Sequence, residues 1–262
     1  MYDAYELMAA VELASKIYHE ELMHGPGSDR VRARNYIASR RLFAPGVEQF
    51  RIGYAPEGGT KPWILGKTGN AKLLIEAGVL REAKSGVLYD PMEKRIVFPQ
   101  VNPAGKYLGF TGRTVPGIWA GTAERYTTTR LTPIFRRHEI LYRIDLARSS
   151  IIAEKSAIIV EGMLDAALMF QVGIKNVVAV GSKALTDPQA QIIARYADNL
   201  QIMFDNNDAG REGASEARRR RGIHFKQVST LDYPARFDDP ADWVANRIDR
   251  VSEFNSSVGV DN

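Results

Sequence analysis

Apolar residues recur at spacings of three and four along the first stretch of the chain. Leu7, Ala10, Val11, Ala14, Ile17, Tyr18 and Leu22 share one side of a 3.6-residue turn, which predicts a helix over 4–23. Gly25-Pro26-Gly27-Ser28 stops it, and a second helix is expected over 29–40. Residues 47–54 read as a strand, followed by a loop rich in Gly, Pro and Lys and a short helix over 71–77 that closes at Gly78. Then the period shortens. Arg95-Ile96-Val97-Phe98-Pro99 and Tyr107-Leu108-Gly109-Phe110 flank the turn sequence Asn102-Pro103-Ala104-Gly105, so hairpins are expected over 87–116. Residues 117–133 lack periodicity and are expected to form a long functional loop, and 134–148 a basic helix.

Beyond residue 150 strand-length apolar runs alternate with helical patterns. Ile158–Val160, Val177–Val180 and Leu200–Phe204 are expected strands, with helices over Asp165–Gln171 and Gly210–Arg221 between and after them. Thr186-Asp187-Pro188-Gln189 has capping-box spacing and opens another helix. A further strand is expected around His224–Val228. Such alternation means a mostly parallel α/β layer. The expected fold class is therefore α/β. It has a mixed α+β N-terminal subdomain with a basic groove (1–133), an α/β subdomain with a metal site (134–248) and a tail (249–262).

Composition narrows the setting. The 262 residues suffice for one large or two small cores, and no cysteine is present, which excludes disulfides and thiolate zinc sites in this chain. No apolar stretch reaches the roughly 18 residues of a membrane span, and Met1-Tyr2-Asp3-Ala4-Tyr5-Glu6 lacks the features of a signal peptide, so no membrane association and a cytoplasmic location are expected. Net charge is only +4, but its distribution is uneven: seven arginines face three acids between Arg113 and Arg148, and Arg218 to Arg221 form a second cluster. Basic clusters of this kind suit a polyanion. Gly66-Lys67-Thr68 lacks the upstream glycine and strand of a phosphate loop, Asn255-Ser256-Ser257 has no secretory signal to accompany it, and the histidines have no metal spacing.

The acids are ordered. Glu161 follows the first of the late strands and Asp205 the third, so both fall at the carboxyl edge of a parallel sheet, where ligands bind. Asp165 lies one helical turn after Glu161, and Asp239 and Asp242 come after a later strand. Carboxylates gathered in this way attract a hard divalent cation, Mg²⁺ or Mn²⁺. Two such ions about 4 Å apart serve phosphoryl transfer, and their charge is what allows the acids to cluster beside a phosphate.

Order and spacing of these acids resemble the Toprim domain. In the N-terminal half, Phe50-Arg51-Ile52-Gly53-Tyr54-Ala55-Pro56, Arg95-Ile96-Val97-Phe98-Pro99 and Gly109-Phe110-Thr111-Gly112-Arg113 resemble motifs of bacterial and phage DnaG-type primases. So do Arg125-Tyr126, Thr132-Pro133-Ile134-Phe135-Arg136-Arg137, Val160-Glu161-Gly162-Met163-Leu164-Asp165 and Ala179-Val180-Gly181-Ser182. The resemblance runs from about residue 30 to about residue 245. It implies synthesis of short RNA primers on a single-stranded DNA template from ribonucleoside triphosphates, by metal-dependent nucleotidyl transfer. Glu161 and Asp205 would be catalytic. The metal ligands would come from Glu161, Asp165, Asp205, Asn207, Asp208, Asp239 and Asp242, and Arg95, Arg113, Arg125, Tyr126, Arg136 and Arg137 would face template or nucleotide.

This chain departs from the family in three respects. Asn207 stands where the family has the second acid of Asp-x-Asp, which implies weaker metal binding, with Asp208 as the substitute if it swings in. Without cysteine there is no zinc ribbon here, so start-site selection is expected to be lax or to come from a separate template-recognition protein. Few residues follow Val244, so no helicase-docking part is expected and a replicative helicase would be met otherwise; the brevity suggests a phage or plasmid protein. A Toprim nuclease and a non-catalytic single-strand binder are the alternative readings.

Overall fold

The computed structural model describes residues 2–58, 60–118 and 124–246. The expected tail at 249–262, with Asn255-Ser256-Ser257, lies outside the described residues. Contacts divide the chain into two units: Met1–Ser39 with Phe43–Arg137, and Arg40–Leu42 with His138–Asn262. Among the described residues no helix is long and apolar enough to cross a membrane.

The first unit begins with α1 (Ala4–Met23), which opens on a capping box between Asp3 and Glu6, and α2 (Ser28–Ser39). Then come α3 (Ala44–Phe50), β1 (Gly53–Ala55), α4 (Thr60–Thr68) and α5 (Ala71–Glu76). The short hairpin β2 (Arg81–Glu82) and β3 (Leu88–Tyr89) precedes β4 (Arg95–Val101), β5 (Tyr107–Thr114) and β6 (Tyr126–Thr128). Strands β1, β4, β5 and β6 form one antiparallel sheet in the order β1-β4-β5-β6. Its core joins Leu7, Ala10, Val11, Ala14 and Tyr18 of α1 to Ala55, Val97 and Phe110 of the sheet. Helix and strand touch at Gly53, where a β-carbon would come within 2.6 Å of the Tyr18 carbonyl carbon.

Three expectations fail in this unit, each for a local reason. The run at 47–54 alternates as Phe50-x-Ile52-x-Tyr54, yet its first half is helical. Pro45 occupies the first turn of α3, where its missing N–H costs nothing, and Val47 and Phe50 bury one face. Arg51 then turns the chain with a left-handed φ of 50°. The Gly/Pro/Lys stretch expected to be a loop holds α4, anchored by Ile64. Residues 117–133 hold the edge strand β6, which pairs with β5 through Arg113 and Tyr126.

The basic helix expected over 134–148 is a single 3₁₀ turn at Arg137–Glu139, and α6 (Ile144–Glu154) of the second unit begins only after Arg143, whose φ of 61° interrupts the run. Strands β7 (Ser156–Val160), β8 (Val177–Ala179), β9 (Asn199–Ile202) and β10 (Gln227–Thr230) are all parallel, in the order β10-β9-β7-β8. Helices α7 (Met163–Gln171), α8 (Asp187–Ala194), α9 (Asp208–Arg221) and α10 (Pro240–Ala245) complete it. One face of the sheet presents Ala157, Ile159, Val178, Leu200 and Ile202 to α6, α8 and α9. The fold class is α/β, as the alternation of strand and helix implies. The Thr186–Gln189 capping box is present.

A buried carboxylate ties the first unit together. Asp90 accepts hydrogen bonds from Tyr18 Oη (2.9 Å), Thr60 Oγ1 (2.8 Å) and the Met92 amide (2.8 Å). Burial pushes its pKa up to about 6, against the lowering effect of those three donors. The folded chain therefore binds the proton more tightly than the unfolded chain does. Stability from this group is highest below the unfolded value of 3.8 and declines as pH rises through about 6. The full decline is about 3 kcal/mol. Urea unfolding at pH 4 and pH 7 should show this decline in the wild type and a clearly shallower one in Asp90→Asn; identical slopes would rule out Asp90 as the group responsible.

Candidate active site

Strand β7 delivers Glu161 directly from its carboxyl end, and β9 delivers Asp205 three residues after its own. The two meet: the Asp205 amide donates to Glu161 Oε1 at 3.2 Å. Half-burial raises the Glu161 pKa, opposed by that amide and by Lys183. Asp165 sits in the first turn of α7, where its Oδ2 accepts the Gly162 amide at 3.0 Å. A β-carbon at Gly162 would run into the same carboxylate, so any larger residue there would require the Asp165 side chain to shift. Asp165 is buried, and its pKa lies well above the ordinary range. Desolvation is the main cause, followed by the negative charges of Asp239 and Asp205, with Arg40 acting in the opposite sense.

Asp239 caps α10, its Oδ1 accepting the Asp242 amide at 2.6 Å, while its Oδ2 takes Arg40 Nη2 at 2.8 Å. Arg40 precedes Asp239 by 199 residues, so no spacing rule could have found it. Asn206 is a second residue that sequence reasoning missed. Its Nδ2 reaches the carbonyls of Tyr233 (3.3 Å), Pro234 (3.4 Å) and Phe237 (3.1 Å), and its amide donates to Asp238 O at 2.9 Å. This fastens the turn after Asp205 to the segment leading into Asp239. Tyr233 adds Oη to Phe204 O at 3.0 Å and stacks on Trp243 at 5.7 Å. Gly210 lies so close to the Asp205 backbone that any β-carbon would collide with it.

The side chains of the other ligand candidates have partners of their own. Asn207 is the N-cap of α9, with Oδ1 accepting the Gly210 amide at 2.9 Å. Asp208 is fully exposed and pairs with Arg211 at 2.6 Å. Asp242 Oδ1 accepts Asn246 Nδ2 at 3.2 Å. Among the described residues no three acidic or histidine side chains form a ready-made metal cage. The donors are nonetheless all hard oxygens, and Asp165 lies within the field of the Asp239 and Asp205 charges. That set fits a divalent cation of the Mg²⁺ type, which keeps waters and takes only one or two carboxylates beside substrate phosphates.

The basic candidates belong to the first unit. Arg95 is buried, its stem packed where a Gly112 β-carbon would come within 2.8 Å, and its Nη2 donates to Glu124 O at 3.4 Å. Burial lowers its pKa. Arg113 and Tyr126 are directly opposed across β5 and β6, so they leave the sheet on one face, whereas Arg95 is opposed to Thr114 and leaves on the other. Arg125, Arg136 and Arg137 are exposed. In the second unit, Asn206→Ala should show how much its fastening contributes. The part-buried carbonyls of Tyr233 and Phe237 would lose this donor, and that of Pro234 would keep only the Phe237 amide, a cost of about 1–3 kcal/mol. Asn206→Asp should cost more, since it aims an anion at those carbonyls. Equal urea midpoints for wild type and Asn206→Ala would show the fastening to be idle.

Known proteins share both halves of this arrangement. Residues 17–148 match the family model "DNA primase catalytic core, N-terminal domain", and residues 158–244 match "Toprim-like". A DNA primase of Staphylococcus aureus (strain MRSA252) is 30% identical over 243 residues, 90% of this chain and 39% of that protein. A DNA primase of Halalkalibacterium halodurans is 31% identical over 236 residues, 86% of this chain and 38% of that protein. The chain thus spans about two fifths of the length of these relatives. The crystal structure of the Aquifex aeolicus primase, comprising its zinc binding and RNA polymerase domains, is similar with a TM-score of 0.88 and 25% identity, covering 99% of this chain and 62% of that one. The chain belongs to the family of the DNA primase catalytic core, N-terminal domain, and carries a Toprim-like second unit.

Proposed function

We propose that this chain synthesises short RNA primers on single-stranded DNA from ribonucleoside triphosphates. The observation that carries the reading is the junction of Glu161 with the Asp205 backbone at the carboxyl edge of the parallel sheet, in a chain of the primase family. In this reading Glu161 and Asp205 hold the divalent cation, Mg²⁺ or Mn²⁺, and Asp165 supports them from the first turn of α7. When bound there, a divalent cation would supply Lewis-acid chemistry at the attacking 3′-hydroxyl and the triphosphate. Asp239 acts through Arg40, which keeps the segment before α10 in place.

Asn207 and Asp208 have other work: one caps α9 and the other pairs with Arg211 at the surface. The basic residues of the first unit take the phosphates of template and nucleotide, since guanidinium forks match phosphate oxygens and a tyrosine ring stacks a base. The partners in this reading are the DNA template, the nucleotides, and a replicative helicase or a separate template-recognition protein. Its place of work is the cytoplasm.

Labelled ribonucleotide incorporation on single-stranded DNA, with and without divalent cation, tests the reading. Glu161→Gln keeps an acceptor for the Asp205 amide and so keeps the fold, but should lose incorporation by on the order of 100-fold. Asp208→Ala should stay within about twofold of wild type, because its side chain is fully exposed. Cleavage of the DNA without incorporation would favour a Toprim nuclease, and binding alone would favour a non-catalytic protein.

A further inference from the structure

Three side chains of the first unit form a stack that the family resemblance did not anticipate. Arg113 Cζ lies 5.3 Å from the ring centre of Tyr36 on α2 and 5.4 Å from that of Tyr126 on β6. Its guanidinium therefore has an aromatic neighbour from each of two elements. Arg125 adds a second cation 5.9 Å from the Tyr126 ring. Arg113 is only 9% exposed, and among the described residues no hydrogen bond or ion pair uses its guanidinium.

Three other shielded arginines of this protein are paired with acids. Arg30 pairs with Glu21 at 2.8 Å, Arg40 with Asp239 at 2.8 Å and Arg143 with Asp145 at 2.9 Å. A guanidinium flanked by aromatic rings, which accept no strong hydrogen bond, keeps its N–H donors to offer. That edge matches two oxygens of a phosphate. The surrounding charge favours the same ligand, since the chain between Arg113 and Arg148 carries seven arginines against three acids.

We propose that Tyr36 is a positioning residue which, with Tyr126, holds the Arg113 guanidinium so that its N–H edge receives a phosphate oxyanion. The phosphate belongs to the template backbone or to the incoming triphosphate. What supplies it rests on the primase reading; the stack itself does not. Tyr36 acts through Arg113 and touches no reacting atom.

Binding without polymerisation tests this on the full chain. Fluorescent oligothymidylate without nucleotide forms one arm, and ATP without DNA the other, each at several salt concentrations. Tyr36→Phe keeps the ring and should bind within about twofold of wild type. Tyr36→Leu keeps bulk without a π face and should weaken binding by about tenfold in at least one arm. Arg113→Lys should do the same, and the double variant Tyr36→Leu/Arg113→Lys should be no weaker than Arg113→Lys alone, because both changes remove one interaction. A loss confined to one arm supports the proposal and identifies the source of the phosphate.

Wild-type affinity of Tyr36→Leu in both arms would overturn it. So would equal losses in Tyr36→Phe and Tyr36→Leu, or additive losses in the double variant. Should Tyr36→Leu fail to fold, Tyr36→Met takes its place with the same expectations. A wild-type chain that binds oligothymidylate but incorporates no nucleotide would sink the primase reading and leave this proposal standing.

Discussion

Carboxylates repel one another, and the second unit gathers several of them around one that is buried. Asp165 feels both Asp239 and Asp205 in a buried setting, and its proton is held more tightly as a result. Much of the local architecture answers that repulsion. Arg40 lies against Asp239, the Gly162 amide meets Asp165, and the Asp205 amide meets Glu161. Without such donors the strand ends could not bring these groups together, since each uncompensated charge in a dry site costs several kcal/mol. The same crowding is what would make the site receptive to a divalent cation.

Glycine and asparagine do the complementary steric work. Gly162 leaves room for the Asp165 carboxylate, and Gly210 leaves room for the Asp205 backbone. Asn206 hydrogen-bonds the loop before α10, while Asn207 caps α9. Two adjacent asparagines thus serve different ends, one facing a loop and the other a helix. The first unit uses a different device, a buried acid surrounded by hydroxyl and amide donors, to join α1, α4 and the turn before β4.

Much of this was legible in the sequence, and the reasons are physical. The strands β7, β8 and β9 and the helix α8 declare themselves through unbroken apolar runs and a capping box, signals that depend only on neighbours in the chain. Glu161 and Asp205 were found because topology places strand-end residues at one edge. Short elements misled: α3 and α4 are too brief for a period to show, and the Gly, Pro and Lys around α4 read as a loop. Arg143 halted a basic run that looked helical. Arg40 and Tyr36 were invisible for another reason. Their importance comes from partners far away along the chain, Asp239 and Arg113, and no local pattern encodes such a meeting.

The residues Arg40–Leu42 belong to the second unit although the chain on both sides of them belongs to the first. The two bodies are therefore interleaved along the polypeptide instead of following one another like beads. A gene fragment that began at His138 would encode every acid of the candidate site yet omit the guanidinium that faces Asp239. Recombination at a single crossover point between the two units would separate that pair. A shuffled or excised second unit that is to keep this pair must carry a segment from near the start of the chain.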